Sequence, residues 1–354
     1  MNLAAIQSAR EQIEKACAAV SKTIQVMEVC GTHTVALFRH GIRSLLPINL
    51  KLLSGPGCPV CVTDQGYIDT VIDLAGREDC IIATYGDMIR VPGKNTSLER
   101  LSLPNVRIVL SSDDAVMLAR KNPDKTIIFI AVGFETTTPA TAVAIQQAKA
   151  MDLTNFTVLC GHKRVLPAMQ ALLSGRNDKI DAFLCPGHVS IILGSKAYQP
   201  IVDEFRRPCV VAGFEAEQIL LGLAKICEQI ARGKPAVDSV YGLAVSPQGN
   251  TVAQHIIDTF FEPCDGPWRG LGCIPQGSLK IREQYAVFDA QRRFGIDQMP
   301  KEEPAGCVCG QVLCGLIEPS QCGLFGKKCT PDRPVGPCMV STEGACAAWY
   351  KYQK

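Results

Sequence analysis

Between about residue 24 and residue 245 the chain repeats one unit: a short β-branched apolar run that ends in glycine or another small or polar residue, then a helical stretch. The runs are IQVMEVCGTHT, LKLLSGPGCPVC, IIATYGD, VRIVLSSDD, IIFIAVGFETT, FTVLCGH, AFLCPGHVS and CVVAGFEAE, spaced mostly 20 to 30 residues apart. That interval fits one strand plus one helix. Runs without polar alternation suit strands covered on both faces, so the pattern predicts parallel sheets in an α/β architecture. AVGFETTTPATAVA and VAGFEAEQILLGLA echo each other as strand, Gly-Phe-Glu, helix, and about 220 residues exceed what one small sheet needs. The expectation is two similar α/β domains, residues 24–121 and 122–245, divided where KNPDK interrupts the pattern.

After Tyr241 the pattern changes. VSPQGNTVAQHIIDTFF reads as one capped helix, EPCDGPWRGLGCIPQGSLKI as a Gly- and Pro-rich stretch, and IREQYAVFDAQRRF as another short helix. The rest is dominated by turns and has too few apolar residues to pack a core unaided. Residues 246–354 are therefore expected to form a third, loop-rich domain, with residues 1–23 as an N-terminal helix packing on it. That helix mixes Arg10, Glu11, Glu14 and Lys15 among its apolar positions, unlike the core of a signal peptide. The strongest apolar run, Ile127 to Phe134, is too short to span a bilayer. With 36 basic against 34 acidic residues, the charge balance advertises neither nucleic acid nor an anionic membrane as a partner. A soluble cytoplasmic protein is the expectation.

In such a compartment eighteen cysteines are anomalous, because the cytosol keeps thiols reduced and structural disulfides there are rare. Seven of them, Cys307, Cys309, Cys314, Cys322, Cys329, Cys338 and Cys346, fall in the last 48 residues. Structural zinc usually takes two close cysteine pairs, and only Cys307 and Cys309 are close. Iron–sulfur clusters accept irregular spacing, and four thiolates on one cluster would staple a glycine-rich segment. A cluster is favoured over zinc and over uncoordinated thiols.

In α/β sheets ligands collect at the carboxyl ends of strands, where helix N-termini favour negative charge. Those ends carry Cys30 and His33, Cys58 and Cys61, Asp87, Glu135, His162, His188 and Glu215. Cys58-Pro-Val-Cys61 precedes a helix that Thr63 or Asp64 can cap, so the helix dipole should lower a thiol pKa there, and the two-residue spacer permits a disulfide. A redox dithiol is favoured; a zinc half-site and inert packing are the alternatives. Cys30 closes a strand just before a helix, where a thiolate could serve as soft ligand or nucleophile with His33 raising its ionised fraction. Packing alone is the competing reading. Glu135, Asp87 and Glu215 read equally as helix-capping acids, and His162 and His188 follow glycines that allow close backbone approach. His40 and His255 lie within helical stretches and carry no site signal.

Taken together, CGTHT (30–34), LLSGPGCPVCVT (52–63), GFETTTPAT (133–141), CPGHVS (185–190), WRGLG (268–272) and the tail from CGQVLCG to CAAWYKY resemble the [NiFe]-hydrogenase maturation factor HypD family. They cover nearly the whole chain in order. The resemblance implies two α/β domains and a third domain holding a [4Fe-4S] cluster. It implies a scaffold on which a transient Fe(CN)2CO unit is assembled, with thiol redox chemistry rather than conventional turnover. A HypC-type chaperone and a HypE-type cyanide donor are the implied partners, the latter supplied by a HypF-type carbamoyltransferase. Cys30 becomes the iron-binding thiolate and Cys58 with Cys61 the redox pair, with His33, Glu135 and His188 as further site residues. The implied cluster ligands are Cys309, Cys322, Cys329 and Cys346, with Cys307 the first alternative and Cys314 and Cys338 as extras. The competing function is a freestanding, cluster-linked thiol-disulfide oxidoreductase, which would not require Cys30 in CGTH.

Overall fold

A computed structural model describes residues 3–175, 179–297 and 304–352. All eight apolar runs are strands: β1 (Ile24–Glu28), β2 (Leu50–Ser54), β3 (Cys80–Thr84), β4 (Val106–Ile108), β5 (Thr126–Gly133), β6 (Phe156–His162), β7 (Ala182–Pro186) and β8 (Cys209–Ala212). A short edge strand the pattern did not announce, β9 (Val237–Ser239), follows. The strands form two parallel sheets, in the orders β2-β1-β7-β8-β9 and β4-β3-β5-β6. Each has helices on both faces, and their central strands are buried along almost their whole length, which is why they read as unbroken apolar runs.

The two sheets do not divide the chain at residue 121. The chain builds β1 and β2 of the first sheet, leaves to build all of the second from β3 to β6, and returns at β7. The expected domains 24–121 and 122–245 are thus replaced by one sheet inserted into the other. KNPDK is only the turn between the helix Ser112–Lys121 and β5, closed by Lys125 N–H donating to Asn122 O at 3.1 Å. A helix-to-strand turn and a domain linker use the same polar, Pro-containing composition, so the residues alone did not separate them.

The N-terminal helix, Leu3–Ala18, also sits elsewhere than expected. Its apolar stripe of Ala9, Ile13 and Cys17 packs on the helix Ala216–Ala231 beside the first sheet, with Cys17 Sγ 3.9 Å from Cys227 Sγ. Among the described residues, 246–297 and 304–352 likewise form no separate core. The Gly- and Pro-rich stretch is an antiparallel hairpin, β10 (Phe261–Trp268) and β11 (Gly272–Ile281), and with the helix Thr251–Phe260 it extends the core of the second sheet through Ile257, Phe260, Phe261, Leu279 and Ile281. The cysteine-rich tail packs on the first sheet, where Cys309, Leu313, Cys314 and Cys338 share a core with Met27, Val29, Cys58 and Cys61. Among the described residues, no helix is long and apolar enough to cross a membrane.

Ile13 is 1% exposed at the centre of the N-terminal helix contact. Ile13→Ala should cost about 2–5 kcal/mol, as deletions of buried methylenes do. Hydrogen exchange should then accelerate in residues 3–18 while the second sheet keeps its protection.

Candidate functional site

The carboxyl edge of the first sheet is where the chemistry converges. Parallel pairing aligns Glu28 of β1 with Ser54 of β2, so the segments that follow, Cys30-Gly31 and Gly55-Pro56-Gly57-Cys58, leave the sheet side by side. Gly31 N–H donates to Gly57 O at 3.0 Å, and a Cβ on Gly57 would lie 2.2 Å from Cys30 N. Only glycine permits that approach. It sets Cys30 against the residue preceding the dithiol.

Cys30 is 8% exposed and is the N-cap of the helix Gly31–Arg39. Burial, reinforced by the nearby Glu343 carboxylate, pushes its thiol up to about 11, against the smaller opposing effect of the His33 and Thr32 backbone N–H groups. Thr32 Oγ1 donates to Glu343 Oε1 at 2.7 Å, so a tail carboxylate is fixed beside the thiol. Glu28, 1% exposed and two residues before Cys30, braces both segments by accepting from Thr34 Oγ1 at 2.9 Å and Ser54 Oγ at 2.8 Å. Burial raises its carboxyl to about 7, with Arg43 opposing.

His33 joins Cys30 at this edge but does not act as a cation. Its ring is buried, Nε2 donates to Gly213 O at 3.0 Å, and desolvation holds its pKa down to about 4. A neutral imidazole cannot raise the thiolate fraction by charge, which corrects that expectation. His188 is exposed and lies tilted against Phe214 with ring centroids 4.2 Å apart, while His33 lies against the same ring at 4.9 Å. Phe214 thus bridges the two histidines, and the His33 backbone N–H reaches Cys30.

Cys58 caps a single helical turn, Pro59–Val62, and its Sγ accepts the Cys61 N–H at 3.4 Å. Asp64 caps the next helix, Gln65–Ala75, by accepting Tyr67 N–H at 3.1 Å. The expected lowering of a thiol pKa by the helix dipole is overridden at Cys61, which burial pushes well above the ordinary thiol range. From Cys61 a continuous path of thiol contacts runs into the tail: Cys61 to Cys338, Cys338 to Cys309 and Cys346, and Cys309 to Cys307.

Six tail cysteines, Cys307, Cys309, Cys322, Cys329, Cys338 and Cys346, line one apolar cavity with Val312, Leu324, Phe325 and Met339. Cys309, Cys322, Cys329 and Cys346 are thus together. So are Cys307 and Cys338, whereas Cys314 turns away to donate to Gly270 O at 3.6 Å. Among the described residues, no three His, Cys, Asp or Glu side chains converge closely enough to hold a metal ion as they stand. The donor set is nevertheless uniform, soft sulfur in an apolar lining, and that chemistry fits an iron–sulfur centre better than a hard cation.

The other edge residues lie apart. Glu135 caps a helix, though not its own: Oε1 accepts Val165 N–H at 3.0 Å at the start of Val165–Leu173, while Oε2 is buried without a hydrogen-bond partner. His162 is buried and bonded to Thr141 Oγ1 at 3.0 Å. Asp87 opens the short helix Gly86–Ile89, and Glu215 precedes Ala216–Ala231 without capping it through its side chain. His40 ends the helix Gly31–Arg39, and His255 lies in Thr251–Phe260. Residue-by-residue reading missed Glu28, Phe214, Glu343 and the junction role of Cys338. Only Glu343 left a trace, an acid between small residues in STEGAC of the cysteine-rich tail.

Two parallel α/β sheets, one inserted into the other and covered by a cysteine-rich tail, define an α/β protein with buried thiols gathered at one sheet edge. Residues 4–353 match the family model HypD, described as the hydrogenase formation hypA family. The hydrogenase maturation factor HypD of Azotobacter vinelandii is 44% identical over 337 residues, covering 93% of this chain and 89% of the relative. The hydrogenase maturation factor HypD of Escherichia coli strain K12 is 42% identical over 352 residues, covering 99% and 94%. The hydrogenase expression/formation protein HupD of Azotobacter chroococcum is 43% identical over 341 residues, covering 94% and 90%. The chain belongs to the HypD family of hydrogenase maturation factors.

Two outcomes follow from the electrostatics. The Glu135 carboxyl, raised by burial from 4.5 to about 7, binds more protons folded than unfolded between those values, so its contribution to stability falls as pH rises through that window. Glu135→Gln should keep the cap and remove up to about 3 kcal/mol of that pH dependence, read from denaturation at pH 4.5 and 7.5. Glu343→Gln removes the charge that opposes ionisation of Cys30 and should lower the pH midpoint for Cys30 alkylation, measured by peptide mass.

Proposed function

We propose that this chain is the scaffold on which the Fe(CN)2CO unit of [NiFe] hydrogenase is assembled, with Cys30 as the thiolate that holds the iron. The observation that carries this reading is the thiol path from Cys58 and Cys61 through Cys338 to the six-cysteine cavity, beginning beside Cys30. The iron is cargo. Cys30 Sγ must lose its proton to bind it, and a thiol held up to about 11 stays protonated until a cation arrives to compensate the charge. Cyanide and carbon monoxide need a pocket that excludes competing ligands, and the tail closing over the edge at Glu343 supports that.

Four of the six cavity thiols would hold the cluster: Cys322, Cys329 and Cys346 with Cys309 or Cys307. A [4Fe-4S] cluster bound there supplies and accepts single electrons. Cys58 and Cys61 hold or release an electron pair as dithiol or disulfide, with the Cys61 to Cys338 contact as their junction to the cavity. His188, exposed on Phe214, is the titratable side chain at the mouth, where a HypC-type chaperone and a HypE-type cyanide donor fed by a HypF-type carbamoyltransferase would approach. In a freestanding thiol-disulfide oxidoreductase the glycine-enforced packing of Cys30 would have no role.

Cys30→Ala should abolish loading of iron with cyanide and carbon monoxide while leaving any tail cluster intact. Infrared spectra of the complex with a HypC-type chaperone test this, and undiminished cyanide bands in the variant would refute the assignment.

A further inference from the structure

The turn between β10 and β11 grips the dithiol segment from outside. Arg269 is 2% exposed although it carries a full charge. Its backbone N–H donates to Val62 O at 2.8 Å, its Nε to Thr63 O at 3.0 Å and its Nη2 to Gln65 Oε1 at 3.3 Å. Those three acceptors lie within four residues of Cys61. Gln65 in turn donates to Asp69 Oδ1 at 3.1 Å, which also accepts Lys94 N–H at 2.8 Å, so the guanidinium is anchored in a buried polar network. Its Nη1 is buried with no hydrogen-bond partner. A buried donor left unsatisfied is destabilising, a cost that a residue kept for packing alone would avoid.

The same turn reaches the tail. Gly270 has φ of +76°, and a Cβ there would lie 2.1 Å from Gly310 Cα, one residue beyond Cys309. Gly270 O also accepts Cys314 Sγ at 3.6 Å. One turn thus holds the segment after Cys61 and the segment after Cys309 at fixed separation.

We propose that Arg269 is a positioning residue for the Cys58 and Cys61 couple: it keeps the Pro59–Val62 turn closed and so sets the dithiol-to-disulfide equilibrium. The proposal rests on reading these cysteines as a redox pair. Forming the disulfide against oxidised dithiothreitol moves two electrons and two protons from the two thiols to the reagent, making one S–S bond in the protein and breaking one in dithiothreitol. The equilibrium depends on the effective concentration of one thiol at the other, which a closed turn raises and a frayed turn lowers. Cys58 Sγ already sits on the Cys61 N–H, the conformation that brings the two ends together. Cys61 stays protonated near neutral pH because burial raises its pKa, so geometry rather than the guanidinium charge should dominate there.

The test equilibrates the full chain anaerobically with mixtures of reduced and oxidised dithiothreitol at pH 7, quenches by alkylation, and reads the Cys58–Cys61 peptide by mass. Arg269→Gln should lower the disulfide equilibrium constant about tenfold, and Arg269→Lys, which keeps the charge but not the fork, at least about threefold in the same direction. Arg282→Gln, one residue past the end of the same hairpin and bonded to Asp258, Phe261 and Glu262 instead, should leave it unchanged. An unaltered constant in folded Arg269→Gln, or an equal shift in Arg282→Gln, overturns the proposal. If Arg269→Gln does not fold, Arg269→Lys decides by the same criteria. A wild-type chain that forms no Cys58–Cys61 disulfide at any ratio refutes the redox-pair reading itself and the proposal with it, whereas a working couple indifferent to Arg269 refutes only the proposal.

Discussion

The close approach of Gly57 to the Cys30 backbone is the contact around which the site is arranged. It exists because β1 and β2 pair in parallel and therefore release their chains at the same edge, and because no side chain stands between them. Two loops from strands 26 residues apart in sequence register, Ile24 to Leu50, become one surface, and Glu28 bolts them from below through Thr34 and Ser54. A methyl group at Gly57 would have to push back the backbone that presents Cys30, not merely a movable side chain.

Burial decides the chemistry at this edge more than nearby charge does. His33 and Glu28 are displaced toward their neutral forms, as is Glu135 beyond the second sheet, and the thiols of Cys30 and Cys61 are held protonated. The helix N-termini that follow Cys30 and Cys58 favour thiolate but act over one turn, whereas loss of water acts on the whole side chain. The tail supplies much of that dryness. Its last helix, Ala345–Tyr352, packs on the helix Gly31–Arg39, with Trp349 and Phe38 edge to face at 5.5 Å and the Arg43 guanidinium over both rings. Reactivity here is conditional on the arrival of something that offsets the desolvation.

Strand identity was legible because a doubly covered strand has a local signature, and eight runs gave eight strands. Sheet membership was not, since β1 finds β7 across more than 150 residues and nothing in either run names the other. The hairpin was hidden for a different reason. Its residues alternate buried Phe261, Trp268 and Ile274 with prolines and glycines that an interior strand would not tolerate, and an antiparallel ribbon with a bulge between Cys264 and Gly266 does. At the site, cysteines stand out by type, so Cys30, Cys58, Cys61 and the tail set could be read directly. Arg269, Glu343 and Phe214 belong to ordinary residue types and acquire meaning only from what lies opposite them.

The insertion of one sheet into the other also dictates an order of events at the ribosome. All four strands of the second sheet, Cys80 to His162, emerge consecutively and can pair as they appear, whereas β1 must wait with one flank open until β7 is made. The tail comes after both sheets. Through most of synthesis, then, Cys30 and Cys61 lack the tail segments that lie against them in the finished fold, Glu343 bonded to Thr32 beside Cys30 and Pro337 accepting from Cys61, so the tail's arrival is what turns accessible thiols into enclosed ones.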